Sequence, residues 1–119
     1  MSAVQRLDEV FGLPRGSAVI VLNDPETKVP IAIMDGTLIS AIRTGAVTGV
    51  CAKYMAPSRS KTVGLFGAGP QCNTQLMALK ASLPQLEKAY VYDLSRERAE
   101  KFAAEMSQKL NMDVQAASD

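Results

Sequence analysis

The run Thr62-Val63-Gly64-Leu65-Phe66-Gly67-Ala68-Gly69-Pro70-Gln71 decides the fold. Thr62 to Phe66 is short, apolar and partly β-branched, the pattern of a buried strand, and it passes without a linker into two glycines. Pro70 suits the first position of a helix, because the N–H it lacks is one that a helix start leaves unbonded anyway. From there Cys72, Leu76, Leu79 and Leu83 form an apolar stripe that Pro84 ends. Lys88 to Asp93 reads as a second strand. Ser95 is the natural N-cap of a second helix with the stripe Ala99, Phe102, Ala103, Met106 and Leu110, ending at Asn111. Glu97 with Lys101 and Glu105 with Lys109 are its expected outward pairs. A third strand is expected around Val114. Strand, helix, strand, helix in this order is the first half of an α/β, doubly wound parallel sheet.

Upstream the pattern changes. Ala18 to Leu22 is a short β-branched run closed by the turn chemistry of Asn23-Asp24-Pro25, and Lys28 to Met34 pairs back as the second strand of a β-hairpin. Pro30 donates nothing to a ladder, so it belongs at an edge or a bulge. Asp35-Gly36-Thr37 starts a helix in which Ile39, Ile42, Ala46, Val50 and Tyr54 recur at helical spacing until Pro57. The expected organisation is an N-terminal arm over residues 1–15, a hairpin-and-helix segment over 16–59 and a partial dinucleotide-fold segment over 60–119.

In such a sheet the first strand-to-helix turn is the place for a pyrophosphate. Gly67 and Gly69 lack Cβ and allow a sharp turn and a close approach, while the helix beginning at Pro70 directs its unbonded N–H groups at the anion. The spacing is Gly-x-Gly-x-x-Cys, with the small Cys72 where a third glycine or alanine is usual. Asp93, ending the next strand, is placed to accept from the adenosine ribose hydroxyls and so favours NAD. Arg96 could serve a 2′-phosphate, which leaves NADP open. The bland reading of Asp93 is a turn residue ahead of Ser95.

Arg43 falls within the apolar stripe of the first helix, between Val50 and Tyr54 on the helical wheel. A guanidinium buried there needs a carboxylate or phosphate, or an opening to water. An internal ion pair or a subunit contact satisfies it as well as an anionic ligand does.

Thirteen basic and twelve acidic residues give a net charge of +1, so nothing electrostatic points to nucleic acid or an anionic membrane. The sequence holds no histidine, which excludes histidine-based triads and histidine zinc sites. Two cysteines, both in apolar stretches, fit a reduced, cytoplasmic protein.

Taken in order, Val19 to Asp24 with Pro25-Glu26-Thr27, then Pro30 to Gly36, then Arg43-Thr44-Gly45-Ala46, then Gly67-Ala68-Gly69-Pro70-Gln71 resemble the ornithine cyclodeaminase and mu-crystallin family. The resemblance runs over nearly everything from Gly16 onward. It implies a dimer of two-domain chains with a Rossmann domain, passing hydride between NAD(P) and an amino or imino acid. By that resemblance Arg43 holds the substrate carboxylate, Thr44 lies near the cofactor phosphates, and Gly67, Ala68, Gly69, Pro70 and Gln71 line the pyrophosphate. Family members also carry a catalytic lysine ahead of the hairpin and an acidic residue late in the Rossmann domain. This sequence shows neither, nor a second mononucleotide half to seat nicotinamide. The expectation is therefore dinucleotide binding without catalysis by this chain alone, in a homo-oligomer formed through the sheet edge or the Ala18 to Met34 hairpin. The alternative is a dinucleotide-binding or scaffold protein with no reaction.

Overall fold

The computed structural model describes Gly12 and residues 16–117. The expected arm, residues 1–15, lies outside the described residues apart from Gly12. By internal contacts the chain forms two compact units, Met1–Ser40 and Ala41–Asp119.

The first unit holds an antiparallel hairpin of β1 (Val19–Asn23) and β2 (Pro30–Asp35). Asp24 builds its turn: one carboxylate oxygen accepts from the N–H groups of Glu26 and Thr27 and from the Thr27 hydroxyl. The register shifts between Leu22 and Asn23, where Asn23 faces Pro30, so the proline sits at an irregularity of the ladder as its missing donor requires. Asp35 then accepts from the N–H of Thr37 at 2.6 Å and starts the helix α1 (Thr37–Met55).

The second unit contains α1 from Ala41 onward, β3 (Thr62–Phe66), α2 (Pro70–Ser82), β4 (Lys88–Tyr92), α3 (Arg96–Leu110) and β5 (Asp113–Ala116). The three strands form a parallel sheet in the order β3-β4-β5, with Thr62 opposite Lys88 and Lys88 opposite Asp113. The division between units falls inside α1. Alternation along the strands puts Leu65, Ala89, Val91 and Val114 into the core against the buried stripes of α2 and α3. The opposite face leaves Phe66 88% exposed and Tyr90 39% exposed.

Both Rossmann-type helices end as their sequences dictate. The Ser95 hydroxyl accepts from the N–H of Arg98, Asn111 adopts the left-handed conformation that stops α3, and the N–H of Leu83 returns to the Leu79 carbonyl just before Pro84. The surface pairs differ from expectation. Arg96 bonds Glu100 at 2.8 Å and Lys101 turns to Glu105 at 4.0 Å, so Lys101 is shared away from Glu97.

The packing face of α1 is a correction. Ile42, Val50 and Tyr54, expected to bury, are 54%, 57% and 76% exposed, and Arg43 is exposed with them. The buried positions are Gly45 and Gly49. A Cβ on Gly45 would lie 2.5 Å from the Thr74 carbonyl oxygen, and one on Gly49 would lie 2.7 Å from the Ser82 hydroxyl. Two glycines four residues apart let α1 approach α2 backbone to backbone, and the Thr74 hydroxyl donates to the Ala41 carbonyl across the contact at 2.9 Å. A hydrophobic wheel weights large side chains and overlooks this mode of packing.

Candidate functional site

The end of β3 and the start of α2 form the turn expected from the sequence. Gly67 takes φ +93, a region closed to most side chains, and its N–H donates to the Tyr92 carbonyl at 2.7 Å, extending the parallel ladder by one step. Ala68 donates its N–H to Asp93 Oδ2 at 2.8 Å. Gly69 is the N-cap of α2, with φ −90 and ψ 174, and no side chain caps the helix there. Pro70 has no N–H, and that of Cys72 goes to the Gly69 carbonyl at 2.9 Å. Among the described residues, the N–H groups of Gly69 and Gln71 are left as the donors this first turn can offer an anion.

Asp93 sits one residue beyond β4 with its side chain only 9% exposed. Besides Ala68 it accepts from the N–H of Ser95 at 2.9 Å, and Arg98 Nη2 lies 3.8 Å from Oδ2. Those two backbone N–H bonds, first Ala68 and then Ser95, hold its carboxyl below the usual carboxylate range, with the Arg98 charge adding to them. It is a carboxylate at neutral pH. Four lone pairs against two backbone donors leave it acceptor capacity on either oxygen.

Gly67, Ala68, Gly69, Pro70, Gln71 and Asp93 are thus brought together. Arg96 is held in its pair with Glu100. Thr44 is half-buried in α1, where its carbonyl accepts from the Thr48 hydroxyl at 3.4 Å. Arg43, one residue earlier, is exposed and not the buried cation that the helical wheel implied.

Two residues escaped the sequence reading. Beside the turn a crevice of 290 Å³ is lined by Ala68, Gly69, Pro70 and Asn73 on one side and by Arg98, Lys101, Phe102 and Glu105 on the other. Arg98 stands three residues after the Ser95 cap, a spacing that returns it to the same end of α3 and could have flagged it. Asn73 carries no such signal. Its Oδ1 is buried without a hydrogen-bond partner among the described residues. Burial raises the Cys72 thiol above its ordinary value, in keeping with a packing role at the third position of the glycine pattern. Among the described residues no helix is long and apolar enough to cross a membrane, and no group of acidic or cysteine side chains is placed to hold a metal ion.

A family model described as ornithine cyclodeaminase/mu-crystallin family matches residues 3–119. The alanine dehydrogenase of Archaeoglobus fulgidus is 40% identical over 93 residues, covering 78% of this chain and 29% of that protein. The L-lysine cyclodeaminase of Streptomyces rapamycinicus is 37% identical over 99 residues, covering 83% and 29%. Among solved structures, the Δ1-pyrroline-2-carboxylate reductase of Thermococcus litoralis, in complex with NADH and L-proline, superposes with a TM-score of 0.88 at 46% identity, over 95% of this chain and 35% of that one. An archaeal alanine dehydrogenase dimer with bound NAD gives 0.86 at 33% identity, over 94% and 34%. The chain therefore spans about a third of the length of these relatives.

Proposed function

Because the chain belongs to the ornithine cyclodeaminase/mu-crystallin family, we propose that its Gly67 to Gln71 turn cradles the adenosine diphosphate half of NAD, within a protein that exchanges hydride with an amino or imino acid. The observation that carries this is Gly69. Its φ of −90 and ψ of 174 suit any residue, and a Cβ added there would meet nothing within 4 Å. The fold does not require a glycine at this position. What the missing side chain provides is open space in front of an uncapped helix start, which is what a diphosphate needs.

NAD is favoured over NADP. The Asp93 carboxylate is fixed by two backbone donors and repels a 2′-phosphate, while Arg96, the cation that could have compensated, is engaged by Glu100. On the same reading Thr44 lies toward the cofactor phosphates and Arg43 grips the substrate carboxylate; its exposed position suits a group that meets a ligand. NAD supplies the hydride acceptor or donor; the residues of this stretch supply adenosine-side binding and one substrate contact. These 119 residues are proposed to bind without turning over by themselves, in the reducing cytoplasm.

The test is Gly69→Asn. Asparagine is a strong N-cap at this backbone geometry, so thermal stability is expected to hold or rise by a few tenths of a kcal/mol. Its side chain fills the cradle, so affinity for ADP-ribose should fall by about tenfold or more, a loss of roughly 1.4 kcal/mol. The wild type should bind ADP-ribose more tightly than its 2′-phosphate. Unchanged affinity in Gly69→Asn would remove this turn from the site.

A further inference from the structure

Asp93 ends β4, and its familiar use at that place is to meet the ribose. Here its two oxygens are already engaged with the backbone of two different loops. Oδ2 accepts from Ala68, 25 residues earlier and inside the glycine turn, while Oδ1 accepts from Ser95, at the cap of α3. One side chain therefore joins the loops that follow adjacent parallel strands. Its neighbour in the turn, Gly67, is already held by the Tyr92 carbonyl. With Gly67 and Ala68 both tied to the β4 end, the direction of the next peptide N–H, that of Gly69, is set before any ligand arrives. Glycine on either side of Ala68 would otherwise leave this segment with the widest conformational choice in the chain.

We infer that Asp93 is a positioning residue for the diphosphate cradle: by holding the Ala68 N–H it aims the Gly69 and Gln71 donors, so that it governs affinity for the diphosphate independently of any ribose contact. This rests on the dinucleotide reading of the turn. The physical gain is preorganisation, since donors fixed in advance lose less freedom on binding. A corollary is that Ala68, though central in the glycine turn, does not itself contact the anion, because its N–H stays with Asp93.

ADP and 2′,3′-dideoxy-ADP separate the two roles, because the second lacks both ribose hydroxyls. A ribose ligand alone would make Asp93→Asn weaken ADP and leave dideoxy-ADP untouched. A positioning residue makes Asp93→Asn weaken dideoxy-ADP too, by an expected tenfold or more, with thermal unfolding confirming that the variant is folded. Equal dideoxy-ADP affinity in wild type and variant would overturn the inference while leaving the dinucleotide reading intact. Failure of wild type to bind either nucleotide would overturn that reading and the inference with it. Should Asp93→Asn not fold, the wild-type amide spectrum decides. Dideoxy-ADP should move the Gly69 and Gln71 amide signals and leave that of Ala68 nearly in place; a dominant shift at Ala68 would show its N–H on the phosphate and sink the proposal.

Discussion

Gly67 and Gly69 carry the same side chain for different reasons. At φ +93 a Cβ on Gly67 has open space around it, so only the backbone resists substitution. Gly67→Ala is expected to destabilise the fold by about 1–3 kcal/mol, read as a lower denaturant midpoint with an unchanged slope. A midpoint equal to wild type would mean that the turn relaxes out of this conformation. Gly69 is under no such constraint. The spacing of glycines was legible in the sequence, but the division of labour between them was not, since it depends on backbone angles. Asp93 shows the same limit. Its place at the strand end could be read from Lys88 to Asp93. Its bond to Ala68 arises only when Phe66 stands opposite Tyr92 in the β3–β4 register, which brings residues far apart in sequence within reach. Of Arg96 and Arg98, only the first stood out in the sequence as a cation for a phosphate. Local helix geometry gave the first to Glu100 and left the second near Asp93.

At the scale of elements, strands and helices followed local signals closely because each end carries its own chemistry. Pro70, Ser95, Asn111 and the Asp24 turn each fix a boundary through a bond or a dihedral that one or two residues determine. Helix α1 was located correctly but its packing face was not. Large apolar residues suggested one stripe, whereas contact with α2 runs through Gly45 and Gly49, whose missing side chains let the backbones meet. The expected burial of Arg43 inherited that error. Gly45→Ala tests the contact. Alanine favours a helix over glycine by about 1 kcal/mol, yet its Cβ would stand 2.5 Å from the Thr74 carbonyl oxygen, a backbone atom that cannot rotate away. Overpacking of this kind costs about 1–3 kcal/mol, so a net loss of stability is expected. Gly49→Ala should cost less, because the nearest atom is the Ser82 hydroxyl, which can turn aside, although the Ala78 carbonyl oxygen at 3.0 Å remains close. If both variants proved more stable than wild type in chemical denaturation, the two helices would not be in contact as described.

Across the whole molecule, burial is uneven. The core lies between the three-stranded sheet and its helices, whereas the hairpin keeps Val19, Val21, Ile31 and Ile33 at 70%, 53%, 61% and 73% exposure. Val21 stands opposite Ile33, so these side chains share one face of a two-stranded ribbon. Such a ribbon is marginal in water without a cover, and a contiguous apolar face of this kind marks an association surface. The sequence pointed to this hairpin and to the sheet edge alike. Exposure favours the hairpin by extent, while Phe66 at 88% is the most prominent apolar side chain on the open sheet face. The expected outcome is a sedimentation mass that rises with concentration above the 12.7 kDa of one chain. Paired substitutions Val21→Lys and Ile33→Glu replace a facing apolar pair by a facing ion pair, which keeps the hairpin register while removing the adhesive face. They should lower the mass toward one chain, whereas Phe66→Ser should leave association largely in place. The reverse ranking would move the contact to the sheet, and a mass that stays at one chain throughout would mean that the hairpin face remains open in solution.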